Sequence, residues 1–183
     1  MQDRNLKDYL ALILRIDAKN FSTVEDFYQR NAYFFRPVSH SGLHPIYDHN
    51  SSIHGVPSVN LVRAANLILE VDTESWDATC LHEKIAEAIT SHATTDAGLD
   101  DNPLEVKIKQ FHASQRAFSK ALHSYLRWAL AEGMPGPGIG DMLTILGRTV
   151  ALSRLSDAAN SVRERSAPRC EAEVPQSEAI ASR

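Results

Sequence analysis

Apolar residues recur at helical spacing along almost the whole chain, and the breaks between them mark the connections. Leu6, Leu10, Ile13 and Leu14 fall on one face of a first helix. Phe21-Ser22-Thr23-Val24-Glu25 then offers Ser22 as an N-cap with Glu25 three residues on, the pattern of a capping box, and predicts a second helix to about Phe35. Pro37 stops it, and residues 37 to 57 read as a turn-rich connection through Gly42, Pro45, Gly55 and Pro57. Val59, Leu61, Val62, Ala65, Ile68 and Leu69 predict a third helix with Ser58 as its cap, and Leu81, Ile85, Ala88 and Ile89 a fourth with Ser75 as its cap. The polar stretch 91 to 103, ending in Asp100-Asp101-Asn102-Pro103, reads as an insertion loop before a helix that begins near Leu104. No strand pattern and no internal repeat stands out. Beyond about Ser166 the composition turns to Ala, Ser, Pro and Glu without periodicity, so residues 166–183 are expected to be a disordered tail.

The most specific segment lies between Phe118 and Leu155. Phe118, Leu122, Tyr125, Leu126 and Ala129 share one helical face, which docks on a core, while Arg116, Lys120, His123 and Arg127 lie on or beside the other. The helix must end at Gly133-Met134-Pro135-Gly136-Pro137-Gly138, because proline cannot donate a backbone hydrogen bond and disfavours the α region in the residue before it. Arg127 therefore sits near a helix terminus, beside that turn. From Ile139, Met142, Leu143 and Leu146 restore the helical period, Gly147 stands where a glycine would close a short helix, and Val150, Ala151, Leu152 and Leu155 open another.

The chain has 183 residues, 43% of them hydrophobic, enough for one substantial core or two small helical ones side by side, but not for a multidomain enzyme. No run of 18 apolar residues exists to span a membrane. Met1-Gln2-Asp3-Arg4 leads straight into an amphipathic pattern, so no signal core or transit stretch is visible. Cys80 and Cys170 form neither a framework nor a C-x-x-C motif, which suits a reducing compartment. Net charge is −4, the wrong sign for a simple nucleic-acid binder, but it is unevenly spread: −7 over residues 1–102, +4 over 103–165 and −1 over 166–183. The basic excess coincides with the segment carrying the Gly-Pro turn. On charge alone it fits either a phosphate-facing surface or an ordinary solvated helix.

The order and spacing of Leu126-Arg127-Trp128-Ala129-Leu130, Gly133, Gly136-Pro137-Gly138-Ile139, Met142-Leu143, Leu146-Gly147 and Arg154-Leu155 resemble the end of the anticodon-binding domain of bacterial-type and organellar glutamyl-tRNA synthetases. Tyr9-Leu10, Phe21-Ser22-Thr23-Val24 and Asn31-Ala32-Tyr33-Phe34-Phe35 resemble the end of the first helical bundle of that anticodon-binding half, and Ser75-Trp76 its Trp-led helix. The likeness spans residues 5 to 158 and is weakest at 37–57 and 91–103; the Tyr33-Phe34-Phe35 block is most similar to fungal mitochondrial forms.

The resemblance implies an all-α fold of two packed helical subunits: residues 1–36 as the end of a first bundle and 37–165 as a helical anticodon-binding domain. It implies tRNA for glutamate, and by extension glutamine, as the partner, with a mitochondrial matrix location or a cytoplasmic one. It implies that Arg127 reaches anticodon bases and that Gly136, Pro137, Gly138 and Ile139 pack against the first two of them. A planar guanidinium can hydrogen-bond a base edge or stack on it, and splayed loop bases are open to backbone and apolar groups. Without the family, Arg127 reads as a helix-terminus charge bonding local carbonyls, and the turn as a connector. Lys120, with Lys107, Lys109 and Arg116, offers phosphate contacts or merely a wet face. Where discriminating relatives carry an arginine that reads the third anticodon base, this chain has Asn20 beside Lys19; asparagine lacks the charged fork, which suggests relaxed reading of that base, or simply a turn residue before the next helix.

A class I synthetase active site needs a nucleotide-binding fold with a His-x-Gly-His element and a lysine-bearing loop, and neither is recognisable. Ser52-Ile53-His54-Gly55 sits in a proline-rich loop and is a decoy. The chain alone is therefore not expected to activate an amino acid; ATP, the expected cofactor of the ligase, belongs to a catalytic domain encoded upstream, and no cofactor or metal is expected here. The alternative is a helical interaction or remnant module without RNA binding. His40, His44, His49, His54 and Asp48 crowd one loop, but without cysteines or fixed spacing they read as solvated rather than as a zinc site. Cys80, Trp76 and Trp128 read as packing residues rather than as nucleophile or stacking platforms.

Overall fold

The structure is a computed structural model that describes residues 5–40, 52–96 and 103–166. Its helices are α1 (Leu6–Asp17), α2 (Val24–Asn31), α3 (Ser58–Leu69), α4 (Ala78–Asp96), α5 (Leu104–Ala131) and α6 (Ile139–Ser166). The fold is all-α, as the periodicity predicts. Two-residue strands β1 (Ser52–Ile53) and β2 (Val56–Pro57) add a small antiparallel hairpin that the sequence did not suggest. His54 (φ 51°) and Gly55 (φ 79°) form its two-residue turn, both left-handed as such a tight connection requires. The His54-Gly55 pair is thus used by a hairpin. Among the described residues no helix is long and apolar enough to cross a membrane.

α3, α4, α5 and α6 pack around one core, and α1 docks on α6. Phe118, Leu122, Tyr125, Leu126 and Ala129 are all buried, as their spacing requires, and so are Met142, Leu143 and Leu146 across from them. α6 is two helical arms, 139–146 and 148–166, because Gly147 (φ 72°, ψ 159°) leaves helical geometry between them. Only glycine adopts that φ without strain. Trp76 and Trp128 pack against or within the core, Trp76 Nε1 also donating to Leu143 O at 3.0 Å; Cys80 packs at the core margin.

Several helix starts differ by a residue or more from the expected caps. Thr23, not Ser22, caps α2: its Oγ1 accepts from Asp26 N at 3.1 Å, while Ser22 Oγ donates to the Asp26 carboxylate. The two hydroxyls, Thr23 first, hold the Asp26 carboxyl below its ordinary range. α3 starts at Ser58 itself, with Pro57 at the cap position. Asp77, not Ser75, closes the start of α4, accepting from Thr79 N (2.8 Å) and Cys80 N (3.0 Å). The expected loop from residue 91 begins later, since α4 runs to Asp96. Thr90, Thr94 and Thr95 turn their hydroxyls back onto the carbonyls of Ala86, Thr90 and Ser91, each at 2.9 Å, so these polar residues stay compatible with helix. The tail and the loop residues His44, Asp48 and His49 lie outside the described residues.

Candidate nucleic-acid interface

α5 ends in a tight sequence of left-handed residues. Glu132 (φ 55°) and Gly133 (φ 80°) reverse the chain, and their N–H groups return to Trp128 O (2.9 Å) and Arg127 O (3.2 Å). A non-glycine residue held left-handed costs about 1–2 kcal/mol. Glu132 is held there from outside the turn: its carboxylate accepts from Arg36 Nη2 at 2.8 Å and from Ser39 N at 2.7 Å.

Arg127 braces the segment that follows. Its Nη2 donates to Pro137 O at 2.9 Å and its Nη1, more weakly, to Met134 O at 3.4 Å, so one guanidinium spans the Gly-Pro turn. The residue is half-buried, neither inside the core nor free in solvent. Gly133, Pro135 and Gly138 are the exposed points of the turn, and Gly136 is half-buried. Pro137 and Ile139 are buried, so they shape the turn rather than offer side chains to a partner. Met142 N donates to Gly138 O at 2.8 Å, opening the first arm of α6 directly from the turn.

Two glycines are required by close packing. A Cβ at Gly136 would overlap the Tyr33 hydroxyl, and one at Gly140 would meet His82 at 2.7 Å and Ala78 O at 2.9 Å. Tyr33 is 1% exposed, and its hydroxyl has no hydrogen-bond partner among the described residues. Burial pushes this phenol far above the ordinary tyrosine range; Arg127 opposes the shift and Asp17 adds to it. Tyr33 thus stands electrostatically between the turn and the corner joining α1 to α2.

That corner holds Lys19 and Asn20, in a 3-10 turn (Ala18–Asn20) after α1. Asp17 is fully buried there and accepts from Asn20 Nδ2 (2.7 Å), Arg30 Nε (3.0 Å) and Asn31 Nδ2 (3.3 Å). Asn20 is therefore engaged in holding the corner, while Lys19 is exposed. Lys120 is exposed on α5, on the same helical face as Arg127. The structure joins Arg127 directly with Pro137 and Met134, on either side of Gly136; Lys19 and Asn20 belong to the separate corner.

The basic excess of residues 103–165 separates into two kinds of residue. Arg148 donates to Val71 O (3.0 Å) and Leu69 O (3.3 Å), closing the end of α3. Arg154, 8% exposed, donates to Leu130 O (2.5 Å), Tyr33 O (2.8 Å) and Arg36 O (3.0 Å), and Arg165 to His40 O (2.8 Å). Burial pulls the Arg154 pKa below the usual guanidinium value. These α6 arginines serve the fold. Lys109, Arg116 and Lys120 on α5 remain exposed.

Sequence reasoning missed the parts played by Tyr33, Glu132, Gly140 and Arg148. Only the glycine carried a local signal, standing at the start of an apolar helical run. His40 and His54 are engaged separately: the His40 ring packs on Trp128 with Nε2 donating to Ala129 O at 2.9 Å, and His54 Nε2 lies 3.3 Å from Ser124 Oγ.

The class of protein this defines is a helical domain that presents an arginine-braced Gly-Pro turn at the junction of two long helices. Residues 83–159, which run from the first turns of α4 through the turn into α6, match the model of a family described as an anticodon binding domain, of the aminoacyl-tRNA synthetase type; the match covers less than half of the chain. Comparison with curated proteins gives no match, nor does comparison with solved structures.

Proposed function

We propose that this chain binds the anticodon loop of a transfer RNA as the anticodon-binding part of a glutamate-tRNA ligase, serving glutamyl-tRNA aminoacylation in mitochondrial translation. Catalysis and ATP use would then reside in a synthetase domain encoded upstream. The observation that carries the reading is the Arg127 guanidinium donating to both Met134 O and Pro137 O, inside the segment that matches the anticodon-binding family. A braced turn presents fixed backbone and proline surface to splayed bases, so little conformational freedom is lost on binding.

On this reading the exposed Gly133, Pro135 and Gly138 meet the first two anticodon bases, and Arg127 both fixes the turn and offers its remaining edge to a base. Lys19 and Asn20 lie toward the third position. Asn20→Arg is expected to strengthen binding of one of the glutamate and glutamine tRNAs over the other; an equal effect on both would remove the idea of relaxed discrimination.

One observation favours the competing reading of a helical remnant without RNA contacts: both terminal nitrogens of Arg127 are already engaged by local carbonyls. The two readings separate on substitution. Arg127→Ala is expected to cost about 1–3 kcal/mol of binding to the matched tRNA and less to an RNA with a changed anticodon. Arg127→Lys, which keeps the charge but lacks the planar fork, is expected to lose most of the same discrimination. A uniform loss across all RNAs would make Arg127 a phosphate contact only. If wild-type chain shows no salt-dependent binding to any tRNA, the remnant reading stands.

A further inference from the structure

The exposed face of α5 carries more than the residues at the turn. Lys109, His112, Arg116, Lys120, His123 and Arg127 follow one another at intervals of three or four residues, so they form a single stripe along the helix. Over 18 residues at 1.5 Å each the stripe is about 27 Å long. After Glu105, which pairs with Lys109 at 3.4 Å, no acidic residue occurs in the rest of α5. Arg116, Lys120 and His123 also form one wall of a groove of about 620 Å³ whose opposite side is Ala86, Ile89 and Thr90 of α4. The α4 carboxylates Glu83 and Glu87 do not line it. His123 Nδ1 donates to Ser119 O at 2.8 Å, which fixes that ring on the stripe.

We propose that this face of α5 is a phosphate track, along which the sugar–phosphate backbone of the tRNA anticodon arm runs away from the turn. The proposal rests on the reading of the turn as an anticodon contact, and extends it from base contacts to the path of the RNA. The occupant follows from charge complementarity. Exposed Lys109, Arg116 and Lys120, with His112 and His123 between and beyond them, no interspersed carboxylate, and half-buried Arg127 at the end where the helix meets the Gly-Pro turn, fit a polyanion, and the stripe's regular spacing suits a strand rather than a single ion. Phosphate contacts supply affinity and register without reading sequence, so the track and the turn would divide the work between affinity and choice of anticodon.

The test compares wild-type chain with Lys109→Gln/Arg116→Gln/Lys120→Gln, using a tRNA with a glutamate anticodon, the same tRNA with its first two anticodon bases changed, and an unrelated single-stranded RNA. Each ion-phosphate contact contributes about 0.7 to the slope of log affinity against log salt for single strands. The triple variant is therefore expected to show a slope shallower by about 2 and an affinity at least about tenfold lower for all three RNAs, with the ratio between the two anticodons unchanged. Arg116→Gln and Lys120→Gln singly, each expected to remove about 0.7 of the slope, keep the test open should the triple variant unfold. An unchanged slope with anticodon preference intact would overturn the track and leave the turn reading standing. A reduced slope without anticodon preference in the wild type would support the track and overturn the turn reading, and no binding of any RNA by the wild type would overturn both.

Discussion

Gly136 and Tyr33 are 103 positions apart in sequence and in direct contact in the fold, and their coupling can be measured. In Gly136→Ala the new methyl would overlap the Tyr33 oxygen and lie 3.2 Å from its ζ carbon, so ring or turn must move. Overpacking of this kind costs about 1–3 kcal/mol. Tyr33→Phe acts in the opposite direction: it removes a buried hydroxyl that has no partner among the described residues, and burying such a group costs about 1–3 kcal/mol on mutational scales. Phenylalanine at this site is therefore expected to be neutral or stabilising by about 1 kcal/mol. In the double variant the worst contact is gone and only the 3.2 Å approach to the ring remains, so Gly136→Ala should cost roughly half as much or less in the Tyr33→Phe background. Thermal unfolding followed by circular dichroism resolves this, since each kcal/mol corresponds to about 2–4 °C for a chain of this size. If the two changes simply add, or if Tyr33→Phe destabilises as strongly as Gly136→Ala, the packing described for Tyr33 against the turn is wrong.

Two further outcomes follow from the same region. Because burial raises the Tyr33 pKa, the unfolded chain loses this proton first; its contribution is fully present below the ordinary tyrosine pKa near 10.0 and falls as pH rises above it. Urea unfolding at pH 9 and at about pH 11 should therefore show a larger loss of stability in wild type than in Tyr33→Phe, and equal losses would refute the burial argument. Arg154→Met removes a donor shared by the carbonyls of Leu130, Tyr33 and Arg36, and is expected to cost about 2–4 kcal/mol after the relieved desolvation of the guanidinium is counted. A urea midpoint unchanged from wild type would show that these bonds are not net stabilising.

Strong periodicity and obligatory backbone chemistry were readable from the sequence. The buried face of α5, the end of that helix before the prolines, and the break at Gly147 each follow from residues close together in the chain. So does the proximity of Arg127 to the turn, ten residues or fewer from both carbonyls it bonds. Local rules were less able to choose among adjacent cap candidates, hence Thr23 for Ser22 and Asp77 for Ser75. The hairpin strands have two residues each, too short for any alternation to show. The contacts that make the turn rigid from behind, Tyr33 on Gly136 and Arg154 on Tyr33 O, join distant segments and leave no mark in spacing. Charge counting was misleading in a specific way: Arg148, Arg154 and Arg165 contribute to the basic excess but donate to backbone carbonyls, and only the fold separates them from the exposed cations of α5.

The proposed function depends on whether the braced turn meets anticodon bases. The deciding quantity is the affinity of the chain, at fixed salt, for a tRNA carrying a glutamate anticodon and for the same tRNA with its first two anticodon bases replaced. Replacement is expected to weaken binding about tenfold or more, equivalent to about 1.4 kcal/mol. Equal affinity for the two RNAs would contradict a base contact at the turn.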